Sequence, residues 1–187
     1  MTKEQHLVRT AFQLFYRYGV HATGINSILE ASGIAKKTLY SYFKSKDDLT
    51  MATIRYRDEI FFSWLSQRMN CVSEGREAIH ELFLALNDWF HDDVKEIAPF
   101  RGCYFINLSA EYNDIDHPIH QLCADHKQRI LKLITDHVSC SNIKPEDIEK
   151  TANIIVMLKE GAIIQASVLG DLSAAKKAQL FLENIGL

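Results

Sequence analysis

Two short stretches of this sequence hold the side chains best suited to specific chemistry. Residues 36–42 read KKTLYSY and bring together ammonium groups, hydroxyls and phenol rings, which donate hydrogen bonds to phosphates and base edges. Residues 100–112 read FRGCYFINLSAEY, an aromatic segment that also holds Arg101, Cys103 and Glu111. A mostly apolar surface with a few polar groups is typical of small-molecule sites. We therefore expect nucleic-acid contacts from the first stretch and ligand contacts from the second.

Catalysis and metal binding are not predicted. The sequence has no glycine-rich phosphate loop, no nucleophile elbow and no His-Glu-x-x-His motif. The run of His117, His120, Cys123 and His126 repeats every third residue, so two helical neighbours could share a metal ion such as Zn²⁺. However, a three-residue repeat drifts around a helix, and four ligands cannot converge from it. We expect solvated or capping histidines, no metal site, no cofactor and no enzyme.

Apolar residues at helical spacing predict a first helix over residues 3 to 18, and a second short helix precedes the cationic stretch. Ile28 and Leu29 belong to an apolar stripe at helical spacing, and Thr23 lies upstream as the predicted N-cap. Gly33 then allows the positive φ with which many helices end. Leu39 anchors the next stripe, inside the cationic stretch. Two short amphipathic helices joined by a glycine-containing turn predict a helix-turn-helix motif.

The rest of the sequence is also predicted to be helical. Ser45 is expected to cap a long helix that reaches about Met69, and no sustained period-two pattern follows it. The segment Ile154–Leu169 is apolar almost all round, which is expected of a helix covered on both sides. One side would meet the chain's own core, and the other would meet a second copy of the chain.

At this point the sequence resembles a known family, the TetR/AcrR-type transcriptional regulators. The resemblance covers residues 7 to 49, about a quarter of the chain. It rests on residue types at fixed spacing: Ala11, Leu14, Phe15, Gly19, Thr23, Ile28, Gly33, Thr38, Leu39, Tyr40, Tyr42, Phe43, Lys46 and Leu49. Gly102-Cys103 followed by Ala110-Glu111 also resembles one subset of this family.

The resemblance implies an all-α protein with an N-terminal three-helix DNA-binding domain and a larger C-terminal helical domain for ligand binding and dimerisation. The DNA-binding residues are then expected to be Thr23, Ser27, Lys36, Lys37, Thr38, Tyr40, Ser41, Tyr42 and Lys46. The ligand-binding residues would be Trp64, Trp89, Phe100, Cys103, Tyr104, Asn107 and Glu111. The dimerisation residues would be Ile155, Ile163, Ala174, Ala178, Phe181 and Leu182.

The charge distribution agrees with DNA contact at one end of the sequence. The whole chain has a formal charge of −3, but residues 1–46 hold seven Lys or Arg and two Asp or Glu. A basic region on an otherwise acidic chain is typical of a protein that touches DNA locally. We expect a DNA-binding domain over residues 1–46 and a ligand-binding and dimerisation domain over residues 47–187.

The expected compartment is the cytoplasm. The N-terminus has no apolar signal sequence, no apolar run is expected to span a membrane, and the four cysteines are widely spaced. The expected function is a repressor that binds a near-palindromic operator as a homodimer and is released by a small effector. Three alternatives remain. One is a helical DNA-binding regulator without a small ligand, the second is a thiol-based electrophile or redox sensor acting through Cys103, and the third is a helical enzyme whose helix-turn-helix is only structural.

Overall fold

A computed structural model describes residues 1–186 of the chain, and Leu187, the last residue of the predicted second domain, lies outside the described part. Within residues 1–186 all regular secondary structure is helical, which confirms the predicted all-α class. The α-helices are α1 (Lys3–Tyr18), α2 (Ile25–Ser32), α3 (Lys36–Tyr42), α4 (Lys46–Asn70), α5 (Arg76–Phe90), α6 (Tyr104–Glu111), α7 (Pro118–Ser139), α8 (Ile148–Leu169) and α9 (Ala174–Asn184). A 3₁₀ turn, Pro145–Asp147, precedes α8.

The helices pack into two compact units. The first comprises Met1–Glu59 and Tyr104–His126, and the second comprises Ile60–Cys103 and the described chain from Lys127 onward. The unit that holds the helix-turn-helix therefore also includes α6 and part of α7. The domain boundary after residue 46 stays a prediction about function, and these packing units divide the chain at other positions.

The first unit is built around the helix-turn-helix. Leu7 of α1, Ile28 of α2 and Leu39 of α3 are fully buried, so each of these helices contributes to one small core. The α6 residue Tyr104 extends this core, because its ring packs edge-on against Phe12 with ring centroids 5.1 Å apart. A three-helix domain buries little apolar surface by itself. The sequence-distant α6 therefore adds apolar contacts that the N-terminal helices lack.

The second unit is a helical bundle in which α5, α8 and α9 pack against one another. Their inward faces hold Leu82 and Phe83 of α5, Ile155 of α8 and Leu182 of α9, all buried. Each of them belongs to a buried stripe that recurs at helical spacing within its own helix, so the one-sided apolar stripes of the sequence account for the packing.

The segment Pro145–Leu169 differs from expectation in one respect. By length and composition it is apolar enough to cross a membrane, although no such run was predicted. Only the core face of α8 is buried, and that face includes the side chain of Lys159, which is paired with Glu160 at 2.6 Å. Core helices of soluble proteins can be equally long and equally apolar. A buried, paired lysine is consistent with a helix packed against protein.

Candidate nucleic-acid interface and effector region

The α3 helix is held in place from its buried side. Gly33 ends α2 in the left-handed conformation with φ of 65°, and this turn directs the chain into α3. Leu39 is fully buried at the middle of α3, and Phe43 is buried directly after its last residue. These two contacts leave the opposite side of the helix open to solvent.

The open side carries the predicted DNA-binding groups. Lys36, Lys37 and Ser41 are exposed, and the rings of Tyr40 and Tyr42 are each 45% exposed. Thr38 is half-buried on the same helix, and its carbonyl accepts a hydrogen bond from the Ser41 hydroxyl at 2.7 Å. The surface of α3 therefore combines two cations with hydroxyl and phenol donors, and no acidic side chain interrupts it.

Two further predicted residues flank α3. Ser27 is exposed on α2, and Lys46 is half-buried at the first position of α4. The start of α4 is capped by the Ser45 hydroxyl, which accepts a hydrogen bond from the Asp48 N–H at 3.0 Å. Asp48 in turn accepts from the Lys44 N–H at 3.0 Å. The prediction that Ser45 caps this helix is confirmed, and the cap fixes the backbone that carries Lys46.

Thr23 has a different role from the predicted one. Its side chain is buried, and its hydroxyl donates to the carbonyl of Gly19 at 2.7 Å instead of capping α2. The N-cap residue of α2 is Gly24, which provides no side-chain cap. The predicted N-cap at Thr23 is therefore wrong. A threonine that precedes a helix can instead donate its hydroxyl to a backbone carbonyl earlier in the chain. This hydroxyl is already bonded, whereas the first backbone N–H groups of α2 have no side-chain acceptor.

Three of the predicted ligand-binding residues form an aromatic cluster in the second unit. The rings of Trp64 and Trp89 are 6.5 Å apart, and those of Trp89 and Phe100 meet edge-on at 4.8 Å. The indole N–H of Trp89 donates to the carbonyl of Ala98 at 3.3 Å. An open groove of about 350 Å³ lies beside Trp64 and is also lined by Arg68 and Glu96.

Cys103 belongs to an ionic group in the same unit. The Lys127 ammonium donates to the Cys103 sulfur at 3.3 Å and to Glu160 at 2.7 Å, while Lys159 donates to the other oxygen of Glu160 at 2.6 Å. Burial acts to lower the pKa of Lys127, but Cys103 and Glu160 outweigh it and raise that pKa. The sequence analysis missed Lys127, Lys159 and Glu160. A Lys-Glu pair inside an apolar helix was the available signal.

The last three predicted ligand residues lie in the first unit. Tyr104 is buried, and its hydroxyl lies 2.7 Å from that of Thr53. Burial raises the pKa of Tyr104, so this phenol stays protonated at neutral pH. Asn107 is exposed, and Glu111 is bonded to the turn after α1. The structure therefore places four of the seven predicted residues in the second unit and the other three in the first.

Most of the predicted dimerisation residues belong to the chain's own core. Ile155, Ile163, Ala174, Ala178 and Leu182 are buried within the single chain, and of the six only Phe181 is exposed. The five buried side chains pack within the chain's own bundle, so Phe181 is the predicted dimerisation residue that remains open to a partner. The large apolar side chains that α8 and α9 leave exposed are Met157, Ile164, Val168, Leu169, Leu180 and Phe181.

The histidine run is divided among separate partners. His117 accepts a hydrogen bond from the Ile119 N–H at 3.2 Å and so caps the start of α7. The ring of His120 bonds to the carbonyl of Tyr112 at 2.7 Å, and that of His126 bonds to Asp58 at 2.6 Å. Among the described residues, no three potential ligands are placed to hold a metal ion.

Two parts of the chain each match a known protein family. Residues 7–53 match the family model described as bacterial regulatory proteins of the tetR family. Residues 76–179 match the C-terminal domain of LmrA/YxaF-like transcriptional regulators. The second match alone covers more than half of the 187 residues.

Individual relatives agree with these assignments. The HTH-type transcriptional regulator of the lacX 3′ region of Lactococcus lactis is 28% identical over 92% of this chain and 86% of its own length. YxaF of Bacillus subtilis, also named as an HTH-type transcriptional regulator, is 31% identical over 64% of this chain and 61% of its own length.

The fold is shared with solved regulators. The crystal structure of SCO4454, a TetR-family transcriptional regulator from Streptomyces coelicolor, superposes with a TM-score of 0.86 at 26% identity, over 98% of this chain and 93% of that one. With the N-terminal and C-terminal family models both matched, this chain belongs to the TetR family of helix-turn-helix transcriptional regulators and is not an enzyme.

Proposed function

We propose that this protein is a transcriptional repressor that binds a near-palindromic operator as a homodimer in the cytoplasm and releases it on binding a small effector. The observation that carries the proposal is α3, which presents Lys36, Lys37, Tyr40 and Tyr42 to solvent on a helix anchored by Leu39. A helix with this composition fits the major groove, where its side chains reach base edges. Two such helices in a dimer would lie about 34–36 Å apart, one turn of the duplex.

Within this interface we assign separate roles to the two kinds of contact. Lys37, Thr38 and Tyr40 would read base edges, while Tyr42, Lys46 and the free N–H groups at the start of α2 would bind phosphates. Phosphate contacts set affinity for any sequence, whereas base contacts set the preference for one sequence over another. Substitutions can separate these roles.

We expect Lys46→Ala to weaken binding to all duplexes alike and to reduce the slope of log affinity against log salt by about 0.9, because one phosphate contact is lost. Thr38→Ala should instead relax the preference at one base pair, by about 1–3 kcal/mol. Fluorescence anisotropy on a selected and a random duplex, over a range of salt concentrations, measures both effects.

The control for charge is Lys132→Ala, which removes an exposed lysine of the second unit and should leave the salt slope unchanged. If every variant weakened both duplexes equally, base reading by α3 would be refuted. If wild-type protein showed no salt-dependent binding to any duplex, the proposed function itself would be wrong.

The effector is proposed to act on the second unit through the aromatic cluster and Cys103. A ligand releases DNA only if it binds the DNA-incompetent conformation more tightly than the competent one. A tenfold loss of operator affinity requires about 1.4 kcal/mol of such coupling. A compound screen for an increase in Tm would find the effector, because a ligand of the folded state stabilises it by mass action. A regulator without a small ligand would give no hit that also weakens DNA binding.

A thiol sensor is the second candidate, and the contact between Lys127 and Cys103 favours it. The Lys127 ammonium lies 3.3 Å from the sulfur of the buried Cys103, and an adjacent cation is a common feature of reactive cysteines. Cys140 is exposed beside Glu74, which raises the pKa of its thiol.

We therefore expect a sub-stoichiometric pulse of N-ethylmaleimide to modify Cys103 before Cys71, Cys123 and Cys140. Lys127→Met should slow the modification of Cys103 several-fold, because Cys103 then loses its neighbouring cation. The modification of the exposed Cys71 should be unchanged. Peptide mass spectrometry over time measures each rate. Equal rates at Cys103 in the two proteins would leave a non-covalent effector site as the surviving version of the proposal.

A further inference from the structure

The C-terminal end of α6 is attached to the helix-turn-helix by side chains that the proposed function does not use. Both carboxylate oxygens of Glu111 accept backbone hydrogen bonds, one from the Val20 N–H at 2.9 Å and the other from the His21 N–H at 2.6 Å. The second oxygen also lies 3.2 Å from Nδ1 of His21. A residue 91 positions away in the sequence thus binds the turn between α1 and α2 at three points.

This turn is shaped to receive a carboxylate. Gly19 has φ of 85°, and a Cβ added there would lie 3.2 Å from Oε1 of Glu111. Successive backbone N–H groups in a tight turn can form a concave anion site. Because Val20 is fully buried, its N–H would lack a partner if the carboxylate were withdrawn.

The same turn sets the direction of α2. The Thr23 N–H donates to the carbonyl of Val20 at 3.1 Å, and the Thr23 hydroxyl donates to that of Gly19 at 2.7 Å. The segment that Glu111 holds is therefore also fixed by its own internal hydrogen bonds, directly before α2 begins. A change in this segment would alter the angle at which α2, and with it α3, leaves α1.

The neighbouring residue, Tyr112, holds the other end of the motif. Its hydroxyl donates to Asp47 in the first turn of α4 at 3.0 Å, and its ring stacks on that of His21 at 5.1 Å. Burial raises the pKa of Tyr112 and Asp47 adds to this effect, so the phenol stays protonated and remains a donor. The carbonyl of Tyr112 is itself bonded to the ring of His120 on α7.

We propose that Glu111 and Tyr112 are positioning residues for DNA binding, which hold the α2–α3 pair by the turn before it and the helix after it. These residues affect DNA binding only through the orientation of α3, so the inference rests on the proposed function. Their loss should lower the affinity for the preferred duplex more than the affinity for random DNA. Preferred binding requires an accurate placement of Thr38 and Tyr40, whereas random binding requires mainly charge.

The test compares Glu111→Gln, Glu111→Asp and Tyr112→Phe with wild type on a duplex selected by wild-type protein from a random library. Glutamine has one acceptor oxygen where two N–H groups need one each. We expect on the order of tenfold weaker binding to the selected duplex, within the range usual for coupled sites. Random-duplex affinity should change less than twofold. The affinity of Glu111→Asp for the selected duplex should lie between those of wild type and Glu111→Gln. Tyr112→Phe should lose less affinity than Glu111→Gln.

The control is Ile119→Val, which removes a methylene group from a fully buried side chain of α7 in the same unit. It should lower Tm without changing the preference between duplexes. All affinities are measured well below the lowest Tm, and hydrogen exchange of the Val20 and His21 amides reports the turn directly. Both amides should exchange faster in Glu111→Gln.

The outcomes separate this inference from the proposed function. Absence of salt-dependent DNA binding by wild-type protein would refute the proposed function, and this inference with it. Normal wild-type binding combined with an unchanged preference in Glu111→Gln would overturn only the positioning role. The same holds if the Val20 and His21 amides exchange at the wild-type rate.

Discussion

Charged substitutions among the exposed apolar residues of α8 and α9 are expected to produce a monomer that no longer holds its operator. Val168 is 71% exposed and Phe181 is 50% exposed, so aspartate at either position should leave the fold of the single chain intact. In a dimer both residues would be buried, and an unpaired buried carboxylate is strongly unfavourable. Loss of the second half-site contact should weaken operator binding about a hundredfold, a typical effect of lost bivalency.

Sedimentation velocity at micromolar concentration and operator anisotropy together measure this prediction for Val168→Asp and Phe181→Asp. The matched control is Ile115→Asp, because Ile115 is as exposed as Val168 but lies in the first unit. That variant should remain dimeric. Ala178→Arg is unsuitable, since Ala178 is buried in the chain's own core and arginine there would disturb folding. A wild-type protein that sediments as a stable monomer would refute the proposed dimer.

The second large effect is expected at Glu160, on which two lysines depend. Glu160→Gln removes the carboxylate that pairs with Lys127 and with the fully buried Lys159. Breaking a buried ion pair from one side typically costs about 3–5 kcal/mol, because the remaining charge is left unsolvated. For a protein of this size, we expect Tm to fall by roughly 10 °C.

Two comparisons test whether the unpaired charge is the cause. Lys159→Met removes the buried ammonium and leaves the pair of Lys127 with Glu160, so its effect on the free energy of unfolding should be small or stabilising. Lys132→Ala breaks an exposed pair with Asp136, which should change it by less than about 1 kcal/mol. Thermal and urea unfolding measure all three variants. An equal loss in Glu160→Gln and Lys159→Met would contradict the charge argument.

The same group predicts a pH dependence of stability. Burial alone would raise the pKa of Glu160, but Lys159 and Lys127 outweigh it and lower that pKa to about 2, from an ordinary value of 4.5. A carboxylate whose pKa is lower in the folded state stabilises the protein above the unfolded-state value. This contribution should be lost as the pH falls from about 4.5 toward 2, and it should be missing from the pH profile of Glu160→Gln.

Local patterns in the sequence were sufficient to predict the helices and the DNA-binding motif. The predicted first helix, residues 3 to 18, agrees with α1, and Gly33 ends α2 in the left-handed conformation as expected. The long helix predicted to begin after Ser45 and reach about Met69 ends at Asn70. These features depend on contacts between residues a few positions apart, which is the information that periodicity and caps contain.

Where local chemistry allows two answers, tertiary structure decided between them. A threonine before a helix can cap it or bond backwards, and Thr23 bonds backwards to Gly19. The apolar pattern of Ile154–Leu169 indicated two covered sides, but it could not distinguish the chain's own core from the surface of a partner. Ile155 and Leu182 are therefore core residues, whereas Phe181 is exposed.

Only the tertiary structure could reveal the pairings that join distant parts of the chain. Glu111 binds a turn 91 residues away in the sequence. Lys127 contacts both Cys103 and Glu160, and Glu160 lies 33 residues after Lys127. A single sequence contains no periodic trace of such contacts, because each depends on how whole helices pack. The residue types on α3 and the fold class were therefore readable from the sequence, whereas the contacts that hold α3 in position arise only when the helices are assembled.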